Sequence, residues 1–167
     1  MATVSFLWPL HQPAYRTADG VSHAPWALLH AGGAYATLAR AITATGARGQ
    51  TLNIVPTLLE QLAAYADATV TDPVIEALVT PAADLSAEQR STIIAWSAHV
   101  NPRQLTRYPR LAQLNRRRSA VHDAGRLDRR FGLGDLRDLQ ILFVLALAGA
   151  QAWSDDRLVP LHDRGGD

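Results

Sequence analysis

Two short apolar runs, each halted by a proline and followed by a helix-patterned stretch, constrain this chain most. Residues 3–9 (TVSFLWP) are rich in strand formers and predict a buried strand, with Pro13 and the Asp19-Gly20 pair marking the loop behind it. Pro25 opens a helix on which Trp26, Leu29, Tyr35, Leu38 and Ile42 keep roughly helical spacing, and Gly46 closes it. Gly32 and Gly33 weaken that helix by ~1 kcal/mol each relative to alanine, which is tolerable where another group packs closely. Residues 50–55 (QTLNIV) predict a second strand, broken by Pro56. The helix after it is expected to bury Leu58, Leu59, Leu62 and Tyr65. Strand, helix, strand, helix is the repeating unit of a parallel sheet or barrel, so the fold class is α/β.

Beyond Asp67 the pattern changes. Short helices are predicted over residues 72–79 and 86–100, the latter with Ile93, Ile94 and Trp96 as its apolar part. Residues 101–131 are polar and arginine-rich, and 135–153 form a strongly apolar helix whose surface expects partners from further elements. No third strand stands out. The predicted boundary is near residue 68, with a β/α start over 1–68 and a mainly helical insertion over 69–167.

Composition narrows the setting. The 167 residues suffice for a real core, and a formal net charge of +1 gives no global field that would attract nucleic acid or a membrane surface. Cysteine is absent, which removes disulfides and thiolate chemistry. The N-terminal apolar run lacks a basic leader and ends at His11, and the longest apolar run, 141–150, falls short of the ~20 residues that span a bilayer. The expectation is a soluble, cytoplasmic protein.

In parallel β/α folds, functional side chains gather at the C-terminal ends of strands. His11 and Gln12 end the first strand and Asn53 lies near the end of the second. All three suit hydrogen bonding to a polyhydroxylated ligand, and all three equally suit structural roles in a loop. Trp26 and His30 are four residues apart and share a helix face, as a sugar platform or as a packed pair. Glu60 reads as part of a capping box, Thr57-Leu58-Leu59-Glu60, and not as a catalytic acid. Nine of the 16 arginines fall between Arg103 and Arg130. With little aromatic interleaving, they read as a solvated helix face or as contacts to an acidic partner surface, not as a nucleic-acid site. The six histidines show no H-x-H or H-x3-H pair, and no nucleotide or cofactor fingerprint occurs, so no metal and no cofactor is expected.

Taken in order, His11-Gln12-Pro13, Pro25-Trp26 with Leu29-His30, and residues 53–62 (NIVPTLLEQL) resemble the N-terminal region of glycoside hydrolase family 57. Asn101-Pro102-Arg103, Tyr108-Pro109-Arg110 and residues 135–140 (DLRDLQ) extend the resemblance over nearly the whole chain. The family includes α-amylase-like, amylopullulanase-like and 4-α-glucanotransferase members. The resemblance implies the start of a (β/α)7 barrel, an incomplete relative of the eight-unit type, acting on α-glucans with retention of configuration. It implies a substrate-site role for His11 and, more weakly, Gln12.

Retaining glycosidases need two carboxyl groups ~5–5.5 Å apart. The family supplies its glutamate nucleophile and aspartate acid/base from later strands. Within residues 1–68 the acids are Asp19, Glu60 and Asp67, and none ends a strand. The chain therefore reads as the opening portion of such an enzyme, inactive by itself, its partners an α-glucan and the rest of the same barrel. The alternative is a non-catalytic carbohydrate-binding or regulatory remnant of the family. A polysaccharide-deacetylase-like metalloenzyme would need an Asp/His metal cluster that the sequence lacks.

Overall fold

The computed structural model describes residues 4–46, 48–120 and 130–148. The chain divides into two compact units, Met1–Asp72 and Pro73–Asp167. The first is mixed α/β; the described part of the second is all helical.

In the first unit, β1 (Phe6–Leu10) pairs in parallel with β2 (Gln50–Ile54), Phe6 opposite Gln50 and Leu10 opposite Ile54. Between them run α1 (Trp26–His30), a π-helical turn (Ala31–Tyr35) and α2 (Ala36–Thr45). As the sequence predicts, the helix starts after Pro25 and ends at Gly46, which takes the left-handed conformation at φ 59°. Gly33 is buried in the widened turn, whereas Gly32 has open space where a Cβ would sit, so close packing does not explain it. α3 (Pro56–Ala66) follows β2 and rests against α1.

Three expectations need correction here. First, the strands are not buried: Phe6, Leu7, Trp8, Leu52 and Ile54 are all exposed on a sheet that has only two strands among the described residues. Second, α3 buries Leu58, Gln61 and Ala64, while Leu59 faces solvent. Third, Thr57 and Glu60 form no capping box. Val55 is the N-cap and Pro56 the first helical residue, so Thr57 already lies inside the helix.

Pairing polarity sets the free edges. The Phe6 N–H donates to the Gly49 carbonyl at 2.9 Å, and the Leu10 carbonyl accepts from the Val55 N–H at 3.4 Å. In a parallel ladder alternate residues face alternate sides, so Leu7 and Pro9 face the outer edge of β1. Pro9 has no N–H to offer there, which blunts that edge. On β2 the outer edge carries the amides of Gln50, Leu52 and Ile54.

The second unit contains α4 (Pro73–Val79), α5 (Ala87–Trp96), α6 (Pro102–Leu105), α7 (Pro109–Ser119) and α8 (Leu133–Leu147). α8 packs against α4, α5 and α7 and buries Leu136, Leu139, Leu142, Phe143, Leu145 and Ala146. The expectation that this apolar helix waits for outside partners is thus corrected for those buried residues, while Leu133 and Val144 of the same helix stay exposed; residues 149–153 lie outside the described residues. Its companions in the core include Ile93, Ile94, Tyr108, Leu111 and Leu114. Ser86 and Gln89 form a true capping box on α5, with reciprocal bonds of 3.1 and 3.0 Å.

The arginine cluster also finds partners inside the chain. Arg110 donates from Nη2 to Asp135 at 2.6 Å and from Nε to Asp138 at 2.8 Å, and Arg117 donates to Asp135 at 2.7 Å. Arg117 also lies over the Phe131 ring, 5.8 Å from its centroid. For these two residues, neither the solvated-face nor the absent-partner reading holds. The stretches YPR and DLRDLQ are two halves of one clamp between α7 and α8. It is completed by the Tyr108 hydroxyl, which donates to the Leu145 carbonyl at 3.1 Å. Gln140 ties α8 to the C-terminal end of α4 instead, donating to the Ala77 and Thr80 carbonyls at 2.8 and 2.7 Å.

Candidate functional site

The loop leaving β1 is held by α3. Gln61, buried, accepts from the Tyr15 N–H at 2.9 Å and donates to the Pro13 carbonyl at 3.0 Å. Thr57 donates to the Gln12 carbonyl at 3.3 Å. A buried amide that bonds loop backbone at both ends satisfies groups that would otherwise be costly to bury. Two stretches far apart in sequence, HQP and NIVPTLLEQL, are thereby joined.

Gln12 is half-buried and its amide is bracketed by two tyrosines: Nε2 donates to the Tyr35 hydroxyl at 2.9 Å, and Oε1 accepts from the Tyr15 hydroxyl at 2.7 Å. Burial, with Tyr35 adding to it, pushes the Tyr15 hydroxyl above its ordinary pKa, so it stays a neutral donor at physiological pH. On the neighbouring helix the Trp26 and His30 rings lie 5.8 Å apart, as their four-residue spacing predicts. The His30 and Tyr35 rings lie 5.9 Å apart. Residues five apart do not share a face in a regular α-helix; the π-helical turn between them inserts the extra residue that brings Tyr35 round.

The structure thus gathers Gln12, Trp26 and His30 into one array through Tyr35, with Tyr15 closing it. His11 follows directly on β1 and is exposed, with no hydrogen bond among the described residues. Asn53 does not join the array: it sits within β2 opposite Pro9, exposed, one residue short of the strand end. Tyr15, Tyr35 and Gln61 were missed in the sequence. The Gly32-Gly33 pair was the available signal for Tyr35, since it marks an irregular turn just ahead of it.

No group of three or more potential metal ligands occurs among the described residues. Of the acids in this unit, Asp19, Glu60 and Asp67 are exposed, and Asp72 is buried and accepts from the Tyr65 hydroxyl. Comparison of the chain with protein-family models, with curated proteins and with solved structures found no match. Chemically, the array offers flat aromatic surface beside a fixed amide and tyrosine hydroxyls. That combination suits a neutral, hydroxyl-rich ligand better than a charged one.

Proposed function

We propose that the first unit is the opening of a (β/α)7-type barrel that acts on α-glucans, like the family 57 glycoside hydrolases and transglycosidases its motifs resemble, with the helical unit as an insertion. The observation that carries this reading is the array behind β1. A strand-end histidine, His11, precedes an amide locked by two tyrosines, next to the Trp26–His30–Tyr35 rings. Stacked rings and fixed hydrogen-bond partners are what sugar faces and hydroxyls need. The uncovered sheet supports the barrel half of the proposal, because Phe6, Leu7, Trp8, Leu52 and Ile54 would be buried by further strands and helices. In this reading the nucleophile and acid/base come from those further strands.

The test is His11→Ala in a polypeptide carrying the whole barrel. kcat/KM on soluble starch should fall ~10²-fold or more, since a bond that strengthens in the transition state is lost, while the urea midpoint stays unchanged. Equal activity of variant and parent removes His11 from the substrate site. A second reading, a non-catalytic carbohydrate-binding protein, is favoured by one observation: no acid in the first unit ends a strand. Calorimetric binding of maltohexaose by the 167-residue chain, with no reducing ends released, would select it.

A further inference from the structure

Arg110 and Arg117 are held by Asp135 and Asp138, but Arg116 and Arg118 of the same run have no acidic partner among the described residues. Both line an open groove of about 760 Å³ beside α6 and α7, whose floor includes Val100, Leu105, Pro109 and Ala112. The other polar groups there are already engaged: Asn115 with Ser97, Ser119 with the Asn115 carbonyl, and Thr106 with the Arg103 carbonyl. The Arg118 Nε is different, being buried without any hydrogen-bond partner. A buried donor left unmatched is destabilising, and natural structures keep few of them unless something else makes use of the group.

We propose that this groove docks an acidic, apolar-flanked peptide segment of a partner protein. A carboxylate takes Nε–H and an Nη–H together, in the forked geometry that suits arginine, once the Arg118 guanidinium turns into the groove. Arg116 supplies a second positive charge at the same rim. A simple phosphate would leave the apolar floor wet, whereas leucine-like side chains beside the carboxylate would cover it. Among the described residues the groove offers no aromatic side chain on which a nucleic-acid base could stack. This inference concerns the helical unit and stands apart from the glucan proposal.

The test uses the full chain and a fluorescein-labelled peptide of alternating leucine and glutamate, followed by anisotropy, with a leucine–glutamine peptide as control. The glutamate peptide should bind at least about tenfold tighter than the control, the equivalent of one charge-assisted hydrogen bond. Arg118→Met should erase that preference and raise Tm by about 2–4 °C, because the orphan donor is gone. Ala112→Glu, which puts a carboxylate into the groove four residues before Arg116, should also weaken binding about tenfold with the fold intact. Equal binding of both peptides, unchanged binding by both variants, or a lower Tm for Arg118→Met overturns the proposal. Tighter binding of a single-stranded oligonucleotide overturns the choice of partner.

Discussion

Asp135 is the most heavily bonded acid of the described helical unit, and Asp135→Asn should show what that is worth. Its Oδ1 accepts from Arg110 at 2.6 Å, and its Oδ2 from Arg117 at 2.7 Å and from the Gly132 N–H at 3.0 Å. Two charge-assisted bonds at ~1.5–3 kcal/mol each set an upper bound of about 3–6 kcal/mol. Screening lowers it, since the side chains of Arg110 and Arg117 are 23% and 34% exposed against 15% for Asp135. Burial lowers Arg110's preference for its charged form, but the bonds and charges of Asp138 and Asp135 outweigh this and raise its pKa. Arg110 also keeps Asp138 and Gln113 in the variant, and asparagine can still accept from Gly132. The expected loss is therefore about 2–3 kcal/mol, well above the ~0.2–1 kcal/mol of a surface pair.

Urea unfolding followed by far-UV circular dichroism measures it. A double-mutant cycle with Arg117→Gln should give ~1 kcal/mol or more of coupling, and 1 M salt should leave most of the effect in place. A loss below ~0.5 kcal/mol, or an effect that vanishes in salt, would mean that the clamp is an ordinary surface ion pair.

Tyr108, buried and pushed up from 10.0 to about 12 mainly by burial, should contribute stability that is fully present below pH 10 and is lost as pH rises through 12. In Tyr108→Phe that segment of the alkaline stability curve should flatten; an unchanged curve refutes the assignment. Gly49 stands at φ 74° with the Val4 carbonyl 3.2 Å from where a Cβ would sit, and Gly46 at φ 59° in open space. Gly49→Ala should therefore destabilise by about 2 kcal/mol or more and Gly46→Ala by only ~1 kcal/mol, measured by thermal melts; the reverse order refutes the steric argument. The open sheet should drive self-association through the β2 edge, because β1 is blunted by Pro9. Leu52→Pro, whose N–H faces outward, should reduce the sedimenting oligomer, whereas Thr51→Pro, whose N–H faces β1, should disrupt the first unit; equal behaviour of the two would refute the polarity.

Much of the local structure was legible in the sequence. Pro25, Gly46 and Pro56 act through their own torsional limits, so helix ends near them could be read without knowing any neighbour, whereas the helix that opens at Pro109 went unread in its polar, arginine-rich stretch. The Trp26–His30 contact follows from helical periodicity alone. What the sequence left open were the choices that depend on distant surfaces. Periodicity put Leu59 inside and said nothing for Gln61, yet the loop after β1 brought a backbone donor and a backbone acceptor that the Gln61 amide satisfies together. Arg110 lies 25 residues from Asp135, and no local rule pairs them. The packing of α7 on α8 brings the two charges together where water is partly excluded. A side chain's torsional preference travels with the residue, but its partner is decided by which surfaces the fold presses together.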